Sequence, residues 1–191
     1  MALLEVTPVA TLGAHLPAAA AAQAQLQRLD RIRLAATERL DPASRAALGQ
    51  FLTPAPVASL MAGMFAAGGR QVHVLDPGAG IGTLAASLVL TLCGRTTPPE
   101  RIDVTAYEID LVLVRYLQDT FQVCAQACAE AGIMFVPHIE AKDFLADGVD
   151  LLRCDLFSGE TRRYSCVVMN PPYHKIHSAS VVRMRTKPPM T

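Results

Sequence analysis

One apolar segment leads directly into four residues whose groups can hold a ligand. The run Cys166–Met169 is continuous and apolar, which predicts a short buried strand. Asn170 follows it, and Pro171 and Pro172 then end the strand, because a proline has no amide hydrogen and fixes φ at about −65°. With Tyr173, this places a carboxamide, rigid carbonyl groups and an aromatic ring at the carboxyl end of a strand, where open α/β sheets bind ligands.

A glycine-rich turn forms the second segment of this kind. The run Gln71–Leu75 predicts the first buried strand, and a helix is predicted from about Thr83 to Cys93. Between them lie Asp76 and the glycines Gly78, Gly80 and Gly82. Glycines allow a tight turn and close approach of a ligand, and a helix N-terminus favours an anion. Nicotinamide-binding proteins use a similar turn, but their third glycine comes one residue later than Gly82.

Acidic residues follow the next two predicted strands. Ile102–Tyr107 is followed by Glu108, at the position where an acid can hold a ribose diol. Asp110 is predicted to cap a helix from Leu111 to Ala131. A third strand, Ile133–Val136, precedes Asp143 and Phe144, which can accept a hydrogen bond from an amino group and pack against a ring. We expect Asp147 and Asp150 to be solvated loop residues.

The N-terminal part of the chain predicts helices. Apolar residues recur every three or four positions from Ala18 to Leu40, which indicates an amphipathic helix that packs on the main sheet, with its arginines in solvent. Asp41-Pro42 predicts a second short helix through Leu48. Thr53 is predicted as an N-cap, with Pro54 opening a helix over Ala55–Ala67. Phe51 precedes this helix in a loop. The segment can contact a ligand, or it can be an ordinary capped helix with a hydrophobic staple.

Composition limits the classes of protein. The chain has 191 residues, is 51% hydrophobic and 18% charged, and suits one globular domain. Its 17 basic and 17 acidic residues give a net charge of zero. The chain therefore lacks the excess of basic residues that is typical of a nucleic-acid-binding protein. No apolar run is long enough for a membrane span. Five cysteines without CxxC spacing favour reduced thiols in a cytoplasmic protein and no metal site, with Cys124 and Cys128 as core residues.

The Asn-Pro-Pro-Tyr sequence at 170–173 closely resembles the catalytic motif of amino-methyltransferases that use S-adenosylmethionine, of which adenine-N6 DNA methyltransferases are the largest family. An Asx-Pro turn is the alternative interpretation. From Gly49 to Ile176, the order of motifs resembles gamma-class adenine-N6 DNA methyltransferases of the class I, Rossmann-like α/β fold. Tyr173–Ile176 also resembles the restriction–modification branch, whose larger members carry a target-recognition domain.

This resemblance implies roles for the residues above. The methionine half of the cofactor would contact Phe51, Thr53, Pro54, Asp76 and the turn of Gly78, Gly80 and Gly82. Glu108 would hold the ribose of the cofactor. Its adenine would contact Asp143 and Phe144. Asn170 and Pro171 would accept the hydrogens of the target amine, which is a poor nucleophile while its lone pair is delocalised. Pro171 and Pro172 would fix the direction of Asn170, and Tyr173 would stack on a base flipped out of DNA.

The resemblance is incomplete at the C-terminal end. The family fold has seven strands, whereas about four are predicted here, and the tail from Val181 to Thr191 contains no further strand. The prediction is therefore an N-terminal helical segment (1–48), a partial S-adenosylmethionine-binding domain (49–177) and a tail (178–191), in a truncated or split enzyme that a partner chain would complete. We expect no methyl transfer to duplex DNA by this chain alone. A protein-glutamine N5 methyltransferase and a non-catalytic cofactor-binding module are the alternatives.

Overall fold

Helices and strands alternate along the described chain. The computed structural model describes residues 16–40, 51–65, 68–153 and 163–171. Its helices are α1 (Leu16–Arg39), α2 (Ala55–Gly63), α3 (Thr83–Cys93), α4 (Leu111–Glu130) and α5 (Phe144–Arg153), and its strands are β1 (Gln71–Asp76), β2 (Arg101–Tyr107), β3 (Met134–Glu140) and β4 (Cys166–Val167). Within these residues, no helix has both the length and the apolar character that crossing a membrane requires.

The strands form one parallel sheet in the order β3-β2-β1-β4. The chain builds the sheet outwards from β1 to β3 and then returns to the opposite side of β1 to form β4. This is the order of the first four strands of the Rossmann fold. The predicted α/β, Rossmann-like architecture is confirmed, and the strand order reverses between β1 and β4.

One face of the sheet carries the hydrophobic core. Because side chains alternate along a strand, every second residue of β1 and β2 faces α3 and α4. The buried strand residues of this core are Val72, Val74, Ile102, Val104 and Ala106, and their helical partners include Leu88, Leu92, Leu117 and Phe121. Cys124 and Cys128 of α4 are buried in the same core, as predicted.

The opposite face is polar along β1 and β2. His73, Asp103 and Thr105 lie there, and both side-chain oxygens of Asp103 accept hydrogen bonds from the guanidinium of Arg101, at 2.7 and 2.8 Å. This pairing lowers the pKa of Asp103. Buried strands of a parallel sheet are usually apolar on both sides, so these polar residues distinguish the two faces of the sheet.

Helix α1 packs on other helices, so the expected packing directly on the sheet was wrong. Its buried residues include Leu29 and Ala36. Arg28 donates a hydrogen bond to Gln126 of α4 at 3.3 Å, and the Tyr116 hydroxyl of α4 donates to the Ala35 carbonyl at 3.3 Å. The predicted apolar spacing was correct, but the apolar side of α1 packs against helices, α4 among them.

Several predicted boundaries agree with the structure to within a residue. These are β1, α3, β2 and α4. Strand β3 extends from Met134 to Glu140 and contains Pro137, whereas the prediction ended it at Val136. A proline is tolerated here because β3 lies at the edge of the described sheet and pairs only with β2.

Strand β4 differs from the prediction in length and in burial. It comprises only Cys166 and Val167, although the Val168 amide still donates to the Leu75 carbonyl at 2.9 Å. Val167 is 55% exposed and Met169 is 46% exposed. The predicted buried strand was wrong because, among the described residues, no strand lies beyond β4 to cover it.

The prediction of loop acids at Asp147 and Asp150 was also wrong, because both lie within α5. The Asp147 carboxylate accepts a hydrogen bond from the Tyr107 hydroxyl at 2.9 Å. Helix α2 ends at Gly63, short of the predicted Ala67. The short helix predicted to end at Leu48 lies outside the described residues.

Candidate active site

The predicted ligand edge of the sheet brings together segments that are far apart in sequence. Strands β1 and β4 are neighbours, with Leu75 paired with Val167, so the chain leaves both strands at the same edge. The glycine turn follows β1 at this edge, and Asn170 follows β4. A reversal of strand order between two adjacent strands is where doubly wound sheets bind ligands.

Asn170 contacts the segment that precedes α2. Its carboxamide nitrogen, Nδ2, donates to the Thr53 hydroxyl at 3.2 Å and to the Phe51 carbonyl at 3.4 Å. The Asn170 side chain is half-buried. A cavity at this edge is lined by Phe51, Leu52, Thr53, Gly78, Ala79, Gly80, Ile81, Thr83, Leu84 and Asn170. Five of the predicted site residues therefore share one cavity.

The Thr53 hydroxyl does not cap α2, contrary to the prediction. The capping position is Pro54, with φ −61° and ψ 143°, and the Pro54 carbonyl accepts from the Ala58 amide at 3.0 Å. Proline suits this position because the first amides of a helix need no intrahelical acceptor. The Thr53 hydroxyl is engaged by Asn170 instead.

Asp76 is the most buried acidic residue of the site. It is 1% exposed, and neither carboxylate oxygen makes a hydrogen bond to a described residue. Burial raises its pKa to about 7, opposed by the nearby backbone amides of Gly78 and Ala85, which do not reach hydrogen-bonding geometry. A buried carboxylate without a partner is costly, which makes Asp76 a candidate for contact with a ligand.

The glycine turn has positive φ angles where the chain bends most sharply. Gly80 has φ 58° and Gly82 has φ 80°, in the region that L-residues rarely adopt. A Cβ on Gly82 would lie 2.5 Å from Leu117 Cδ1, so α4 packs directly against the backbone here. A Cβ on Gly78 would have no neighbour within 4 Å, which leaves that part of the turn open to a ligand.

Glu108 follows β2 and binds the backbone of the site. Its Oε2 accepts from the Gly80 amide and its Oε1 from the Asp110 amide, both at 2.8 Å. Glu108 is 8% exposed, and burial raises its pKa against the opposing effect of these two amides. The carboxylate therefore ties the end of β2 to the glycine turn.

Asp143 and Phe144 lie apart from this cavity, beyond β3. Asp143 Oδ1 accepts from the Leu145 amide at 2.9 Å and thus caps α5, while its side chain is exposed. The Phe144 ring packs edge-on against Tyr107, with ring centroids 5.2 Å apart. The structure does not bring either residue into the cavity beside Asn170.

Some cavity residues were missed by sequence reasoning. Leu52, Ile81 and Thr83 line the cavity, and Thr83 Oγ1 is buried without a hydrogen bond to any described residue. A hydroxyl residue at the first position of a helix after a glycine turn is the signal that could have identified Thr83. Pro171 is described and exposed, whereas Pro172 and Tyr173 lie outside the described residues.

Comparison with known proteins identifies related sequences. No protein-family model matches the chain. It is 35% identical over 150 residues to the type II methyltransferase M.PstI of Providencia stuartii and 30% identical over 158 residues to the type II methyltransferase M.BsuBI of Bacillus subtilis. These matches cover 78% and 81% of this chain, but only 28% and 30% of the relatives.

The motif resemblance at Asp76–Gly82 and Asn170–Tyr173 therefore agrees with sequence similarity along most of the chain. By sequence, the chain is related to these type II methyltransferases, and it spans slightly less than a third of the length of the two relatives.

Proposed function

We propose that this chain forms the cofactor-binding and catalytic part of a site-specific DNA methyltransferase that uses S-adenosylmethionine and methylates adenine at N6. One observation carries the proposal: Asn170 stands at the carboxyl end of β4, in the same cavity as the glycine turn. The similarity to type II methyltransferases supports the same function. In this proposal residues 49–177 bind the cofactor, 1–48 are a helical segment and 178–191 a tail.

The residues at this edge of the sheet carry groups that suit S-adenosylmethionine, although Asp76 and Glu108 lie beside the cavity and do not line it. The buried carboxylate of Asp76 lacks a partner, and the ammonium group of the methionine end would supply one. The N-terminus of α3 and the Thr53 hydroxyl suit the methionine carboxylate. Each oxygen of Glu108 accepts one backbone amide and retains a lone pair for a ribose hydroxyl.

Asp143 and Phe144 remain proposed adenine contacts, although they lie outside the cavity. Asp143 Oδ1 already caps α5, so the second oxygen of the carboxylate would have to accept the amino group. When bound, the cofactor supplies an electrophilic methyl group on a sulfonium.

The chain's own contribution to catalysis is alignment of the target amine. The side-chain oxygen of Asn170 and the carbonyl of Pro171 would accept the two hydrogens of the adenine amino group, which favours a nitrogen with a localised lone pair. Pro172 would limit the direction of the backbone, and Tyr173 would stack on the flipped base. No strong general base is required, because the amine becomes acidic once it is methylated.

Calorimetric titration with S-adenosylmethionine tests the cofactor site. We expect binding by the wild-type chain, a loss of about 1–3 kcal/mol in Glu108→Ala, and no loss in Glu38→Ala, which removes an exposed acid of α1. A titration with NADH checks the alternative use of a glycine turn. Wild-type affinity in Glu108→Ala would show that Glu108 does not bind the ribose. Preferential binding of NADH would overturn the proposal.

A transfer assay at low salt identifies the acceptor. Tritiated cofactor is supplied with duplex DNA or with a release-factor-like protein, and the labelled products are identified by mass spectrometry. N6-methyladenine that falls by at least about two orders of magnitude in Asn170→Ala would support the function. Formation of N6-methyladenine by the wild-type chain would also refute the expectation that this chain is inactive alone. Label in glutamine would favour the protein methyltransferase.

A further inference from the structure

The carboxamide of Asn170 is held by acceptors from one segment of the chain. Asn170 is the only asparagine in the sequence. Its Nδ2 carries two hydrogens, and the two acceptors that it contacts among the described residues, the Thr53 hydroxyl and the Phe51 carbonyl, precede α2. These contacts join residues 117 and 119 positions apart. The Asn170 side-chain oxygen makes no hydrogen bond to a described residue.

The chemistry of these acceptors determines which way the amide points. A carbonyl oxygen can only accept, so an amide turned by 180° would place the Asn170 oxygen against the Phe51 oxygen. Two acceptors in contact repel each other, and the turned amide also loses the hydrogen bond from Nδ2. The contact at 3.4 Å is long, whereas the Thr53 contact at 3.2 Å is closer to ordinary length. The Thr53 hydroxyl can donate as well as accept, so its contact holds the carboxamide in place, and the Phe51 carbonyl sets the orientation.

We propose that Thr53 is a positioning residue, which holds the Asn170 carboxamide beside the Phe51 carbonyl that sets its orientation, so that its oxygen remains available to an amine in the cavity. This inference rests on the proposed role of Asn170 in methyl transfer. A freely turning amide would present NH₂ to the amine about as readily as oxygen, and NH₂ cannot accept the amine hydrogens. The hydroxyl of Thr53 thus contributes to catalysis through Asn170.

Selective labelling with ¹⁵N-asparagine tests this inference, because the chain then gives one side-chain NH₂ pair in a proton–nitrogen NMR spectrum. In wild-type protein we expect slowed exchange of at least one of these protons with water. In Thr53→Val, which keeps the shape and removes the hydroxyl, one NH₂ proton should move upfield and exchange roughly two- to tenfold faster, the factor for one ordinary hydrogen bond. Thr53→Ser should restore the wild-type signals.

Two controls separate positioning from a general structural effect. The backbone amide signal of Asn170 reports whether the segment after β4 is intact in each variant. Thr96→Val changes an exposed loop threonine and should leave the NH₂ pair unchanged. Wild-type shifts and exchange rates in Thr53→Val would overturn the inference, as would equal changes in Thr53→Val and Thr53→Ser. The measurement needs neither cofactor nor DNA, so it can fail or succeed independently of the proposed function.

Discussion

Asp76 lowers the stability of the protein at neutral pH. Its carboxylate is buried and has no hydrogen-bond partner among the described residues, and its pKa is raised from 3.8 to about 7. Between these two values the unfolded chain ionises while the folded protein keeps its proton. The free energy of unfolding must therefore fall as the pH rises from about 4 to 7. A residue that costs stability in the free protein is expected at a site that a cationic ligand completes.

Replacing Asp76 with asparagine should remove this pH dependence. The difference in free energy of unfolding between about pH 4 and pH 7 should shrink by roughly 4 kcal/mol relative to wild type, at 1.36 kcal/mol per pH unit. Urea unfolding at several pH values measures it. Asp119→Asn, at an exposed position of α4, should retain the wild-type pH dependence. A wild-type slope in Asp76→Asn would show that the Asp76 carboxylate is ionised in the folded protein.

At the scale of elements, the glycine turn is held between two helices. Gly82 immediately precedes α3 and lies against Leu117 of α4, while Gly80 is bound by Glu108 after β2. The turn is therefore part of the packed core on one side and of the cavity on the other. Packing on the core side keeps the cavity side in a fixed conformation, which a ligand site requires.

Gly82→Ala should destabilise the protein by roughly 2–4 kcal/mol. The new Cβ adds the strain of a positive φ to overlap with the buried side chain of Leu117. Gly78→Ala is the matched control in the same turn, because its Cβ has space and its φ is not positive. Midpoints of urea unfolding measure both. Equal stability of the two variants would show that α4 does not press on Gly82 in solution.

The edge of β4 should promote association of the chain. Unpaired strand edges with exposed apolar side chains are templates for aggregation, and Val167 and Met169 are exposed at this edge. Val167→Lys should increase the monomer fraction in light scattering, because an edge lysine opposes strand pairing. Val112→Lys, at an exposed position of α4, should not do so. A monodisperse wild-type monomer would exclude association through β4.

At the scale of the whole molecule, the charge balance limits contact with DNA. The 17 basic and 17 acidic residues cancel, and the chain spans only 28–30% of the two related methyltransferases. Affinity for DNA depends mainly on cations that neutralise phosphates. The chain should therefore bind duplex DNA no more tightly than a typical non-specific complex.

In fluorescence anisotropy with labelled duplex DNA, we expect a dissociation constant of about 10⁻⁴ M or weaker at physiological salt. The dependence of affinity on salt should also be shallow, because few phosphates are neutralised. Denatured-and-quenched protein serves as a control for non-specific adsorption. Nanomolar binding with a steep salt dependence would show that the cationic residues are clustered on one surface.

The sequence by itself determined the parts of the fold that depend on near neighbours. The bounds of α3 and the cap by Asp110 follow from residues within one helical turn, and β1 follows from its apolar run. The positions of Asp76, Glu108 and Asn170 after strands were also predictable, since strand ends are marked by local changes in composition. Parallel strands then bring these positions to one edge.

Only the tertiary structure decided what each site residue contacts. The Thr53 hydroxyl has Asn170 as its partner, 117 positions away, although its local sequence favoured a helix cap. Tyr107 binds Asp147, and Glu108 binds Gly80, through contacts 40 and 28 positions apart. A side chain with a local and a distant partner takes the distant one when folding brings it closer. Which of the two is closer depends on the packing of the whole sheet, and no short stretch of sequence contains that information.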